Sequence, residues 1–212
     1  MDYGPGSKGP KSPLKLAARR VFQSLESVFP TVYYVLRYEL AERQAKKAYE
    51  AKNKSKWRSA FFEEANSAGR KCLQIGVFEG KDGKFGPNWV SVDKYDQRDF
   101  IDYHDDINAL HFADDTFDAI YCNAILEHVP EPTRAIAEFL RVLKPGGSAW
   151  VEVPMTYPYH EAPKDYWRVT PDGLRLWMGK YDEVACGISF WSRSPLVCGA
   201  YFLGRKPAPR PA

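Results

Sequence analysis

Cysteine is scarce in this chain, with four among 212 residues. Cys72, Cys122, Cys186 and Cys198 each sit among apolar neighbours, and no two are paired as C-x-x-C. That spacing excludes a zinc ribbon, a thioredoxin-like motif and a disulfide framework, and leaves buried, reduced thiols. Long apolar runs are missing too: none approaches the ~20 residues that span a bilayer. No segment has the charged start and apolar centre of a secretory leader, so the chain is expected in the cytoplasm, either free or peripheral at the inner face of the membrane. Strong net charge is also lacking, at +3 overall.

The small total hides an asymmetry. Residues 1–58 hold 13 Lys/Arg against 5 Asp/Glu, a net +8, and the remainder holds 17 against 22, a net −5. No nucleic-acid motif accompanies the basic segment, so nucleic acid is not an expected partner. What is present in quantity is ordinary globular material: 44% hydrophobic, 27% charged and a high 15% aromatic. At this length one domain with an appendage is the natural division.

The Gly-, Pro- and Lys-rich residues 1–13 read as a disordered basic tail. Residues 14–58 read as an amphipathic helical arm, interrupted at Pro30 and increasingly polar towards Lys56. Such an arm either packs on the domain as a helical cap or docks on a membrane surface or protein partner, because Lys15, Arg19 and Arg20 flank Leu, Val and Phe. Residues 59–206 form the main domain, and the Pro-rich residues 207–212 a disordered tail.

Within the domain, "CLQIGV", "WVSVD" and "FDAIYCNAI" are short runs apolar on both faces, as strands of a covered parallel sheet should be. "EPTRAIAEFLRVLKPGG" carries a helical stripe of Ile136, Phe139, Leu140 and Leu143, with Pro132 in its first turn and a Pro-Gly-Gly stop. "SAWVEV" follows as a fourth strand, and two apolar stretches around "SRSP" read as a closing antiparallel pair. The order predicts an open α/β sheet with helices on both faces.

Ligands in such sheets bind beyond the carboxyl ends of the strands. The first strand ends at Gly76, the second at Asp93 and the third near Asn123, with Asp106 between the last two. An acid closing the second strand can accept two hydrogen bonds from a ribose diol, which nominates Asp93. The run Asp106 to Pro154, with "HFADDTFD", "LEHV" and "RVLKPGG" in that order, resembles the small-molecule, type 11-like branch of the class I S-adenosylmethionine-dependent methyltransferases. The resemblance covers residues 71–180. It implies a Rossmann-like sheet with an N-terminal helical extension, and S-adenosyl-L-methionine as cofactor. It also implies a pocket assembled from Gly76, Val77, Gly80, Asp93, Asp106, Ile107 and Asn123, with Asp106 accepting from the adenine amine.

Against the family pattern, Gln74 stands where an acid is usual and Phe78 where the middle glycine of the loop belongs. A phenyl group there forbids either close backbone approach or the required dihedral. Phe78 either turns into the interface between sheet and helix, leaving a working loop, or fills the pocket and leaves a non-catalytic scaffold that binds through residues 14–58. Twelve residues separate Gly80 from Asp93, and Gly83, Gly86 and Pro87 break them, so no full helix fits.

The stretch "PMTYPYHEAPKDYWRVTPDGLRLWM" follows the fourth strand, and its end reads as a helix capped by Thr170. Among similar sequences this stretch covers the pocket and selects the acceptor, which implies methyl transfer to a small-molecule or glycan-linked acceptor in surface-polysaccharide or secondary metabolism. His160, Asp165 and His128 are the candidate bases, Tyr159 and Tyr166 candidate acceptor contacts, and Arg168 the group that orients an anion. Each histidine equally suits a plain loop position bonded to a carboxylate. No metal site is expected: His104 and His111 lie near Asp102, Asp105 and Asp106 without a ligating pattern.

Overall fold

The computed structural model describes residues 21, 24, 26–50, 54–76, 83–191 and 197–209. Val77, Phe78, Gly80 and the basic tail 1–13 lie outside them. The chain divides into two units, residues 1–44 and 45–212.

Helix α1 spans Pro30–Glu50 and so crosses the division at residue 44. Residues 26–28 are also helical and Phe29 is not, so the helical pattern breaks at Pro30 as expected, and Pro30 opens the next helix, where its missing N–H has no intrahelical partner to lose. Val32, Val35, Leu36 and Leu40 are exposed, whereas Tyr33 is buried and its hydroxyl accepts from Arg37 Nη1 at 2.9 Å. No helix among the described residues is long and apolar enough to cross a membrane.

The second unit is built on one six-stranded sheet: β1 (Cys72–Ile75), β2 (Trp89–Val92), β3 (Phe117–Asn123), β4 (Leu143–Thr156), β5 (Asp182–Phe190) and β6 (Cys198–Arg205). Their spatial order is β2-β1-β3-β4-β6-β5; β6 runs antiparallel to β4 and β5, and the other pairs are parallel. The chain goes outward from β1 to β2 and then returns to lay β3 on the other side of β1. That reversal leaves a crevice beyond Ile75 and Cys122, which are register partners.

Alternation along the strands sorts side chains onto two faces. Leu73, Ile75, Ile120, Cys122 and Val151 pack with Ile136 and Phe139 of α3 (Pro132–Val142) and Leu174 of α4 (Pro171–Trp177). Cys72, Trp89, Tyr121, Trp150 and Tyr201 pack on the opposite face with Phe61 and Ala65 of α2 (Lys54–Ala65). Helix α2 therefore runs through residue 58, where the sequence suggested that the arm ends.

The short connection from β1 to β2 contains no helix among its described residues. Phe85 takes up part of that role, its ring 4.9 Å from Phe62 on α2 and 5.0 Å from Tyr121 on β3. Gln74, standing where an acid was expected, is buried and accepts from the Phe85 N–H at 3.2 Å, so it pins this connection to the sheet. Between β2 and β3 a single parallel bridge, Val92 to Tyr103, stands in place of a further strand.

Candidate active site

The crevice is framed first by glycine. Gly76 has φ +71, and a Cβ there would lie 2.0 Å from Ile125 Cδ1, so the residue combines a left-handed turn with a close approach. On β3, Asn123 Oδ1 is buried without a hydrogen-bond partner. An orphaned acceptor at the mouth of a crevice fits a ligand that brings its own donor, such as an amino group or a ribose hydroxyl.

Asp93 follows β2, and its Oδ1 accepts from the N–H groups of Tyr95 at 2.9 Å and Asp96 at 3.0 Å. Its Oδ2 makes no hydrogen bond among the described residues and remains available to a diol. Asp106 is more committed: Oδ2 pairs with Lys94 Nζ at 2.8 Å and Oδ1 accepts from the Asn108 N–H at 2.9 Å. Lys94 holds the Asp106 carboxyl below its usual range. Each oxygen keeps a further acceptor site, so an adenine amine could bond Asp106 alongside these partners. Ile107 is buried in the main core. Val77 and Gly80 lie outside the described residues. Gly76, Asp93, Asp106 and Asn123 are therefore the expected cofactor contacts that fall within the described residues and keep room or acceptor capacity for a ligand.

Beyond β3 the chain turns sharply. Ala124 adopts φ 54, unusual for a residue with a side chain, and its N–H donates to Glu152 O at 2.9 Å. The turn leads into a short 3-10 helix, Leu126–His128. This places Glu127 at the crevice, with its side chain fully buried and neither carboxylate oxygen hydrogen-bonded. Burial pushes its carboxyl up to about 8, and nearby Asp165 adds to the rise while Arg168 opposes it.

The segment from Tyr157 to Arg168 folds over the same turn. The Tyr166 N–H donates to Glu127 O at 2.7 Å and Trp167 Nε1 to Val129 O at 2.8 Å. This docking brings His160 against His128, with ring centroids 4.9 Å apart. His128 Nε2 lies 3.7 Å and His160 Nε2 3.8 Å from Glu127 Oε1. Burial lowers the pKa of His128.

Asp165 accepts two hydrogen bonds from Arg168, at 2.6 Å each, and a third from the His160 N–H at 2.8 Å. Arg168 holds the Asp165 carboxyl down to about 2, so Asp165 is a permanent anion and a weak base. Arg168 is spent on this pair and on the carbonyls of Tyr157 and Pro158. It serves to shape the segment. Tyr159 and Tyr166 are exposed, as are Tyr157 and Trp167.

The structure thus brings together His128, His160 and Asp165, and it adds Glu127, which is not among the residues nominated from the sequence. The available signal was an acid immediately before a histidine, four residues past a buried strand. His104 and His111 stand apart: His104 Nδ1 contacts Asp93 O at 3.1 Å, and His111 pairs with Asp105.

A family model described as a methyltransferase domain matches residues 87–151. A demethylmenaquinone methyltransferase from Renibacterium salmoninarum is 55% identical over 42 residues, 20% of this chain and 18% of that protein. Its counterpart from Clavibacter sepedonicus is 46% identical over 52 residues, 24% and 20% of the two chains. The chain thus spans about a fifth of the length of these relatives. Among solved structures, the [4+2]-cyclase SpnF superposes with a TM-score of 0.55 at 16% identity, over 73% of this chain and 82% of that one. The Burkholderia thailandensis 1,6-didemethyltoxoflavin-N1-methyltransferase, bound to S-adenosylhomocysteine, superposes at 0.50 and 15% identity, over 96% and 94%. At these identities the superpositions establish the fold.

Proposed function

We propose that this protein is a class I S-adenosylmethionine-dependent methyltransferase, type 11-like, that transfers a methyl group from S-adenosyl-L-methionine to a small-molecule acceptor. The observation that carries the reading is the crevice itself. Gly76, the free oxygen of Asp93 and the orphaned Asn123 Oδ1 stand at the carboxyl ends of β1, β2 and β3, and Glu127 and His128, just past β3, meet His160 of the Tyr157–Arg168 segment.

The cofactor supplies an electrophilic methyl on a sulfonium, so the protein's work is alignment and removal of the acceptor's proton. Asp93 would take the ribose diol and Asn123 a donor of the cofactor. His128 and His160 each present a nitrogen lone pair towards the crevice, which suits an acceptor that must lose a proton from oxygen. The exposed rings of Tyr159, Tyr166 and Trp167 suit the flat face of an aromatic or sugar ring, so the acceptor is a hydroxyl compound, free or glycan-linked.

Calorimetric titration with S-adenosylmethionine and S-adenosylhomocysteine tests the reading. Binding is expected, and Asp93→Ala weakens it by about 1–3 kcal/mol, the scale for stranding polar partners. Absence of heat and of thermal stabilisation at about millimolar ligand overturns methyl transfer, and an unchanged affinity in Asp93→Ala overturns the ribose assignment.

A second role attaches to residues 14–58. Exposed Val32, Val35, Leu36 and Leu40 accompany the basic charge of this segment, a combination that suits an anionic membrane surface. Full-length protein should float with anionic liposomes and a chain starting at Lys54 should not; equal flotation removes the idea.

A further inference from the structure

We propose that Glu127, His128 and His160 bind a single divalent transition-metal ion of the zinc class. Three lone-pair donors converge here. Glu127 Oε1 lies 3.7 Å from His128 Nε2 and 3.8 Å from His160 Nε2, and the three residues each offer a ligand atom within 4.8 Å of the others. A tetrahedral ion with bonds of about 2.0–2.2 Å sets its ligand atoms roughly 3.4 Å apart, so the cluster closes on an ion with modest side-chain adjustment.

The tautomers are set from outside the cluster. His128 Nδ1 lies 2.6 Å from Lys164 O and His160 Nδ1 lies 3.1 Å from Pro158 O. A carbonyl only accepts, so both Nδ1 atoms carry the hydrogen and both Nε2 atoms present lone pairs to Glu127. Asp165 Oδ2, 3.3 Å from His160 Nδ1, reinforces that arrangement. A carboxylate or carbonyl behind each ligating histidine is how metal sites orient imidazoles and raise their basicity.

The second, independent observation is Glu127. Its side chain is fully buried, faces both Nε2 atoms, and neither oxygen has a hydrogen-bond partner. A buried carboxylate facing two further acceptors is unfavourable as it stands, and a cation is what satisfies all three at once. Two histidines and one carboxylate form the protein ligand set of open catalytic zinc sites, and a fourth position remains for an oxygen ligand.

This deepens the methyltransferase reading. With the ion bound, the two Nε2 lone pairs are spent on it and no longer serve as bases; the open position would take the acceptor's hydroxyl and lower its pKa instead, its proton leaving to water before the oxygen–methyl bond forms and the sulfur–methyl bond breaks. The metal chemistry is nevertheless tested without cofactor or acceptor, so the two readings fail separately.

The experiment titrates chelator-stripped, full-length protein with Zn²⁺ by calorimetry and records the visible spectrum with Co²⁺. One ion per chain is expected, with the absorption of a low-coordinate cobalt site. His160→Gln should lose at least ~100-fold in affinity, and Asp165→Asn, which leaves the three ligands in place, about 10–100-fold. His160 is part-exposed, so its variant should keep the wild-type circular dichroism melt and report on binding alone. Glu127→Gln supplies a second ligand variant of unchanged shape. Absence of Zn²⁺ binding, or wild-type affinity in His160→Gln and Glu127→Gln, overturns the site. Metal binding without methyl transfer overturns only the proposed activity.

Discussion

Gly76 shows how one residue can couple fold to function. Its left-handed φ of +71 turns the chain away from β1, and its missing Cβ leaves room for Ile125. Gly76→Ala should lower stability by about 1–2 kcal/mol for the left-handed backbone alone, measurable by urea unfolding. It should also weaken S-adenosylhomocysteine binding, because Ile125 must be displaced; wild-type affinity would mean that the ligand does not approach this turn. The glycine was legible in the sequence because a strand end followed by Gly is a pattern in its own right. Asp106 was legible only as an acid: that Lys94 and the Asn108 N–H already occupy it depends on a turn closed in space. Glu127 was passed over for the same reason. Its importance lies in complete burial and in the approach of His160, 33 positions away, and neither is written in local sequence.

At the scale of elements, continuous apolar runs made the strands easy to place, since a strand covered on both faces needs nothing else. The antiparallel pair around residues 192–196 and the Thr170-capped helix were equally readable, and the Thr170 side chain accepts from the Gly173 N–H at 3.2 Å. What escaped was the covering of the β1–β2 face. Where a crossover helix would lie, aromatic residues from α2 and Phe85 meet Tyr121 and Trp89, and long-range packing of this kind has no local signature. Phe61 is the test. It is 2% exposed, and its ring lies 6.1–6.4 Å from those of Trp89, Tyr121 and Trp150. Phe61→Ala should cost about 3–5 kcal/mol in denaturant unfolding. A loss below about 1 kcal/mol would show that α2 is an appendage rather than part of the core.

Across the whole second unit, a belt of ion pairs lies at the end of the sheet opposite the candidate site, in addition to the Lys94–Asp106 and Asp165–Arg168 pairs at the site itself. The candidate site lies beyond the carboxyl ends of β1 and β3, while the starts of β1, β3 and β4 and the end of β6 carry a belt of charge. Glu64 on α2 is held by Arg205 at 2.7 and 3.0 Å, and Asp118 by Lys144 at 2.8 Å and the Lys71 N–H at 2.9 Å. On the layer of α3, Glu138 is gripped by Arg141, which also bonds the carbonyls of Leu110 and Phe112 and so anchors the strandless stretch before β3. All three carboxyl groups are shifted below their ordinary range. Arg205 is the main cause for Glu64 and Arg141 for Glu138; at Asp118 burial works upward but is outweighed by Lys144 and the Lys71 N–H. A carboxyl group with a depressed folded pKa binds fewer protons folded than unfolded, so its stabilisation is complete above the unfolded value near 4 and disappears as pH falls through the folded one. Each pair is partly solvated and is discounted accordingly to about 0.5–1 kcal/mol, or about 2 kcal/mol for the three. The contribution of these three pairs to the unfolding free energy from urea titrations should therefore hold level down to about pH 5 and decline below about pH 4. The triple variant Glu64→Gln, Asp118→Asn, Glu138→Gln should be less stable at neutral pH and show a shallower acid decline; a decline as steep as that of the wild type would move the acid sensitivity to other carboxylates.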